Sequence, residues 1–536
     1  MSGDFVFDDI DEIEQNPHIK TLTPLSEPLG AYHTLPVRPL PYLTFALNYA
    51  AHGLAKPGYH VVNILIHLAC GYLVYGIMLR TLRRYFAGRA TSSNTWTATE
   101  QYVLALICAG LFLVHPLQTQ AVSYIYQRIE LMVSLFLLLT LYCFVRGVEG
   151  QGSRKWLGLS IFSCWCGMLC KEVMFVAPLL VVAYDWIFIC RSKSLAAPQK
   201  FRLPYYLLLI SSWGLLAGLI IQQSQGYGEF SGQSHPRWNY LLSQSWVILH
   251  YLRLVVYPVG QVLDYYWIPV QGLSESLPAS LIVAVGFLLT IYGVIRQREW
   301  SIIGIWFYLC LAPSSSFVPV IALCVEHRMY LAIIAPIVAI VFLTYELLRR
   351  AVVPEKSVQI LVAVALLCGG VLCSITYARN AVYDSRITMW EDVRLKQPDD
   401  PYTYWYLGKA YHAAKDFPYA LDVLETGLTK KSLVPGNENS LKSKMHNEVG
   451  LLYAKSRDSF PQAIAHYQAA IQLLPGNAEA NNNLGVVYFK LGDARSCYQH
   501  FAAAIKLKPD FVDAQKNMEI LQEAIREATQ SKAQPK

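Results

Sequence analysis

A chain of 536 residues that is 54% hydrophobic and only 15% charged carries more apolar surface than an ordinary water-soluble protein can bury. Its formal charge of +7 raises nucleic acid as a partner, but the Lys and Arg residues lie in short loops between apolar runs. No basic stripe interleaved with aromatics forms, which argues against nucleic-acid binding.

Chain order begins with an N-terminal segment, residues 1–57, whose first 20 residues are acidic and polar and cannot serve as a signal peptide. Within it, Asp8 and Asp9 follow an apolar triplet in FVFDD. Adjacent carboxylates of this kind can hold a divalent cation or supply a general base, although two acids in an acidic tail can equally be solvated. From Gly58 to Ala378 only 12 acidic residues occur, and the composition then turns to that of a soluble helical domain. A span needs roughly 20 apolar residues at a rise of about 1.5 Å each. Ten runs near that length predict membrane helices over 58–80, 100–114, 129–147, 155–169, 172–190, 204–222, 277–295, 300–318, 328–348 and 357–378. The twelve cysteines fall mainly inside these runs, with Cys164, Cys166 and Cys170 in one of them and no CxxC pair, so they read as apolar packing.

Basic clusters at Arg80/Arg83/Arg84/Arg89, Arg146/Arg154/Lys155, Arg191/Lys193/Lys200/Arg202, Arg296/Arg298 and Arg349/Arg350/Lys356 give the orientation, because such short loops stay cytoplasmic. All five fall on one side only if the amphipathic stretch 238–257 does not cross. That stretch is therefore expected to lie along the outer surface, within an external segment 223–276. The same alternation places residues 1–57, the stretch 115–128, the turn Cys170-Lys171-Glu172 and residues 379–536 outside. An external N-terminus with no signal before it leads to the expectation of a further helix upstream of Met1.

Charged residues next to apolar runs are the informative ones in such a chain. Gln127-Arg128-Ile129-Glu130, Lys171-Glu172 and Glu326-His327-Arg328 all fall on the external face, where Arg and Lys at headgroup level suit a lipid phosphate. Snorkelling anchors are the plainer reading. His60, Asn63 and His67 share one helix face and suit interhelical hydrogen bonding, while Asp264-Tyr265-Tyr266-Trp267 reads as an interfacial aromatic belt or a sugar platform.

After Arg379 the sequence repeats at a period near 34 residues. The register runs through Leu407-Gly408/Tyr411/Ala420/Leu424, Val449-Gly450/Tyr453/Ala463/Tyr467/Pro475 and Leu484-Gly485/Tyr488/Phe501/Ala504/Pro509. Three such helix-turn-helix units with a capping helix at 510–527 predict a tetratricopeptide-repeat array, a surface for protein or peptide partners. The expected fold is all-α: a polytopic transmembrane bundle over 58–378, a linker helix at 379–400, and an α-solenoid over 401–536.

Taken in order, FVFDD, Arg38-Pro39, GYHVVNILIH at 58–67, HPLQTQAVSYIYQRIE at 115–130, Lys171-Glu172, Leu263-Asp264-Tyr265, APSSSFVP at 312–319 and EHRMYL at 326–331 resemble one family. It is that of the transmembrane and tetratricopeptide-repeat protein O-mannosyltransferases and their bacterial relatives, similar to the GT-C class of membrane glycosyltransferases. The resemblance implies transfer of a hexose such as mannose from a polyprenyl-phosphate donor to a protein hydroxyl on the non-cytoplasmic face, with inversion. It favours a bacterial inner membrane over the endoplasmic reticulum. Asp8 or Asp9 would act as base or hold a divalent cation. Arg128, Lys171 and Arg328 would meet the departing phosphate, with Glu130, Glu172, His327 and Asp264 as lesser substrate contacts. The rival is a non-catalytic membrane scaffold that recruits proteins through its repeats; a transporter would show repeated helix sets and charged midplane breaks, and neither occurs.

Overall fold

The computed structural model describes residues 3–30, 38–87, 97–149, 153–190, 202–226, 236–320, 322–431 and 438–533. Among these residues the secondary structure is helical, with no strand. The chain divides into two units, Met1–Ser385 and Arg386–Lys536. The division falls inside 379–400, which is not one helix. Pro354–Asn380 ends there, and a separate helix, Arg386–Lys396, opens the second unit.

In the first unit, six helices are long and apolar enough to cross a membrane, and two bent pairs bring the number to eight, among the described residues. The bent pairs are Ala98–Val114 with Pro116–Ser123, at 54°, and Glu326–Ala332 with Ile334–Ala351, at 53°. Two of the ten expected spans come out short. The run at 155–169 is a helix of 16 residues, Ser153–Met168, and the run at 300–318 one of 11, Ser301–Leu311. At about 1.5 Å per residue they reach roughly 24 and 17 Å, below a hydrocarbon core of about 30 Å. Composition misled at 300–318 because Pro313 and the three serines after it are weakly polar in a hydropathy average. Locally they end the helix, and the chain leaves it in turns from Ala312 onward.

The stretch read as a surface helix is Arg237–Val256, which is not among the helices apolar enough to span. It buries Tyr240, Val247, Tyr251 and Leu254 and leaves Trp238, Trp246 and Val256 exposed. Lys56–Ala87 and Arg128–Gly147 pack together at the centre, and the second is buried along almost its whole length. Ala98–Val114 begins with a capping box in which Thr97 accepts from Glu100 N and the Glu100 carboxylate accepts from Thr97 N.

The second unit is a run of helix pairs: Pro401–Ala413 with Phe417–Thr429, Glu438–Tyr453 with Phe460–Leu473, and Ala478–Leu491 with Ala494–Leu507, followed by Val512–Ala533. The repeat glycines mark the closest approaches. A Cβ on Gly408 would stand 2.4 Å from Leu424, on Gly450 2.6 Å from Tyr467, and on Gly485 2.6 Å from Phe501. Each large residue of a second helix thus fills the space left by the glycine of the first. Asp400, Asn477 and Asp493 cap the helices that follow them, at a typical contribution of about 1 kcal/mol each.

Candidate functional site

The N-terminal segment turns tightly at Phe7, a residue in the left-handed region at φ 47°, with Asp9 N donating to Val6 O. This turn separates two adjacent acids that look equivalent in the sequence. Asp9 is fully buried, and its carboxylate accepts from Val6 N at 3.0 Å and Tyr126 N at 2.6 Å. It ties the segment to the short helical turn before Arg128. Asp8 is half-buried, and its backbone N–H donates to Tyr124 Oη at 2.9 Å. Burial pushes the Asp8 carboxyl up to about 6. A hydrogen bond with Tyr124 lowers it, the Glu12 and Asp11 charges raise it further, and Arg38 lowers it. Burial also raises Asp9 well above the usual range, against the pull of its backbone N–H partners.

Arg38, immediately before a helix that opens with Pro39, stands among these carboxylates. Its Nη2 donates to Glu172 Oε2 at 3.3 Å, and its buried Nε has no partner among the described residues. Burial works to lower Arg38, but Glu172 first, then the tyrosines Tyr126 and Tyr42 and the carboxylate of Glu130, more than offset it, and the net shift is upward. Beside it, Tyr42 Oη donates to Glu12 Oε2 at 2.5 Å and lies 3.4 Å from Tyr126 Oη.

Lys171 pairs with Glu130 at 2.6 Å. His327 feels the charges of Lys171, Arg328 and Arg38, and its buried Nδ1 has no partner among the described residues. Its backbone N–H donates to Gln120 Oε1 at 2.7 Å, which fixes its place. Arg328 donates to the carbonyls of Leu323 and Ala322, at 3.1 and 2.6 Å. Glu326 is wholly buried and accepts from Gln261 Nε2, Val262 N and Tyr265 Oη. It clamps the segment that carries Asp264, whose carboxylate accepts from Tyr266 N.

Asp8, Arg38, Glu172, Glu130, Lys171, His327 and Arg328 therefore form one connected field of charge. Arg128 stands apart from its expected place at a phosphate. It is fully buried, and every guanidinium nitrogen is engaged: Nε with Asn63 Oδ1 at 2.8 Å, Nη1 with Asn48 Oδ1 and Thr44, and Nη2 with Tyr59 O at 3.1 Å. The Phe45 ring lies 4.6 Å from its charge centre. Such a group braces three helices rather than meeting a ligand. Arg38, Glu12 and Tyr42 were not singled out as site residues from the sequence. An arginine directly before a helix-opening proline, within a family motif, was the available signal for the first.

The fit to a divalent cation is poor. Asp9 spends both oxygens on backbone N–H groups, so the pair does not offer two free carboxylates. No group of three or more His, Cys, Asp or Glu side chains gathers to hold a metal among the described residues.

The TPR repeat family matches residues 450–492. Over 199 residues the chain is 31% identical to Protein O-mannosyl-transferase Tmtc3 of Drosophila melanogaster, covering 34% of this chain and 22% of that protein. It is 33% identical over 216 residues to Protein O-mannosyl-transferase TMTC4 of Homo sapiens, covering 37% of this chain and 28% of that one. A longer match, 24% identical over 437 residues, joins it to Protein O-mannosyl-transferase F38B6.6 of Caenorhabditis elegans, with 76% and 57% covered. In each case the chain covers less than two thirds of the relative's own length.

Proposed function

We propose that this chain, a TMTC-like relative of the protein O-mannosyltransferases, is itself a membrane glycosyltransferase that moves a hexose from a polyprenyl-phosphate donor to a protein hydroxyl. Asp8 is the observation that carries the reading. It is the one of the two adjacent acids whose carboxyl is not consumed by backbone N–H groups, it is raised to about 6, and it lies within the field of Arg38. A base poised just below neutral pH is ionised at work and still takes a proton readily.

In the transfer, Asp8 accepts the proton of the acceptor hydroxyl as that oxygen bonds to the anomeric carbon. The bond from that carbon to the phosphate oxygen breaks, and the lipid phosphate leaves with the electron pair, which inverts the centre. Arg38 stands next to the base with an unused Nε, while His327 offers an unused Nδ1 among Lys171 and Arg328. These groups hold charge that builds on the departing phosphate, and donors fixed in advance need no reorganisation as the reaction proceeds. Arg128 and Glu326 support the walls from behind. No step runs through a metal.

The acceptor side of the proposal rests on the repeats. Asn447, Asn483, Asn482 and Asn517 form a continuous string of side-chain amides across three successive repeat helices, linked at 3.0, 3.5 and 2.9 Å. Asn447 and Asn482 are buried, so the string ties successive repeats together, and it is the repeat array as a whole that offers a surface to a peptide. The external face belongs to the same proposal, supported by the basic loops, and a bacterial inner membrane is proposed with it on the resemblance alone.

The test is transfer by the purified full chain, reconstituted with a polyprenyl-phosphate mannose and a serine- and threonine-bearing protein. Mannosylated product that is lost in Asp8→Asn supports the reading. Absence of transfer with several donor sugars, together with tight capture of the protein by the repeats, would favour a recruiting scaffold instead.

A further inference from the structure

A cleft of about 540 Å³ lies at the end of Lys56–Ala87, between that helix, the segment 118–123 and the end of Pro354–Asn380. Its volume is within the roughly 300–1,000 Å³ typical of small-ligand sites. Neither Asp8, Arg38, Lys171 nor His327 lines it, so it is separate from the reacting centre proposed above.

The lining groups define what could enter. Gln118, only 2% exposed, donates its Nε2 to the carbonyls of Phe112 and Tyr330. Its Oε1 is buried with no partner among the described residues. Buried acceptors are nearly always satisfied, so this oxygen is an acceptor that a small rearrangement can offer to a ligand donor. At the mouth, Asn380 Oδ1 accepts from Ser123 Oγ at 2.5 Å, which leaves the Asn380 amide nitrogen as a donor. His60 and Thr119 add further neutral polar groups, and the Tyr377 ring stands 83% exposed at the rim.

Among the described residues no Lys or Arg lines the cleft and the Asp384 carboxylate does, which disfavours a phosphate, while the polar groups set among Ile64, Leu113 and Val122 disfavour a wholly apolar acyl chain. A neutral ligand whose hydroxyls both donate and accept, and whose C–H face covers an aromatic ring, fits each feature. We propose that this cleft is a second carbohydrate site that takes a neutral hexose, free or at the end of a glycan. The proposal stands on the cleft's own groups and does not require the transfer reading. It gives the protein a means to hold a glycosylated chain apart from the centre that would add a sugar.

The experiment is saturation-transfer NMR on the full chain in nanodiscs, titrated with methyl α-mannoside, methyl α-glucoside, inorganic phosphate and a short unglycosylated serine/threonine peptide. Saturable binding of at least one glycoside is expected, weakened tenfold or more in the double variant Ser123→Ala/Asn380→Ala and unchanged in Asp8→Asn. Both cleft substitutions are at or near the surface, and an unchanged melting temperature would show that the variant is folded. Three results would each overturn the proposal: no saturable glycoside binding, binding indifferent to the double variant, or binding lost in Asp8→Asn, which would put the sugar in the reacting centre. Peptide binding without glycoside binding would overturn it as well.

Discussion

Arg128→Met removes a buried guanidinium while roughly keeping its length, and it separates a structural role for this residue from a catalytic one. The change leaves Asn63 Oδ1, Asn48 Oδ1 and the Tyr59 carbonyl without their donor, since each accepts a hydrogen bond from Arg128 now. Asn63 and Asn48 are themselves buried, so water does not readily replace the lost partner. An unsatisfied buried group costs about 1–3 kcal/mol. Two such asparagine groups, with the lost contact to the Tyr59 carbonyl, which keeps its helical partner, come to about 3–5 kcal/mol, in line with breaking a buried charged network. For a chain of this size that is a fall in melting temperature on the order of 5–10 °C. Thermal unfolding of the purified protein in detergent measures it. Arg128→Lys keeps the charge but cannot make the forked contacts, and should lose a comparable amount. A variant that melts normally yet is selectively inactive would refute the reasoning and return Arg128 to the lipid phosphate.

Transfer should show an acid limb near pH 6, falling as Asp8 is protonated; a limb below pH 4, as for an unperturbed carboxyl, would contradict the environment described for it. The same upward shift means that Asp8 favours folding below its unfolded pKa and withdraws that stability as pH rises through about 6, so Asp8→Asn should be at least as heat-stable as the parent at pH 8. Gly485→Ala drives a Cβ to within 2.6 Å of Phe501 and should lower the melting point of an isolated 386–536 fragment by several degrees, read by circular dichroism; an unchanged melt would mean that the helix pair can open freely. A cysteine placed at Arg298 should react only with a reagent on the cytoplasmic side, and external labelling would overturn the orientation drawn from the basic loops.

Much of the repeat unit was legible in the sequence because each repeat packs against its chain neighbours. Gly450 with Tyr467 and Gly485 with Phe501 are fixed by spacing alone. Hydropathy located helices at all ten expected spans, but it averages over residues and missed the early stop at Pro313. The site was less legible. Asp8 and Asp9 are indistinguishable as letters, and only the turn at Phe7 sends one to backbone N–H groups and leaves the other to the charged field. Arg128 resembled a membrane-edge cation because its partners, at positions 44, 48, 59 and 63, come from other helices that no local pattern connects to it. Arg38 stood in the sequence only as part of a motif and not as a site residue, for a similar reason: its partner Glu172 lies 134 residues away.

The central claim, that Asp8 rather than Asp9 takes the acceptor's proton, is tested most directly by comparing Asp8→Asn and Asp9→Asn in single-turnover transfer at saturating donor. Loss of a general base typically costs a factor of about 100 to 10,000. Asp8→Asn should lose activity by that factor with its melting temperature intact. Asp9→Asn should mainly lower the melting temperature, because its amide can no longer accept from both Val6 N and Tyr126 N. Its remaining folded fraction should turn over at a rate near that of the parent. Full-rate transfer by Asp8→Asn, or a selective loss of chemistry in a fully stable Asp9→Asn, would contradict the account.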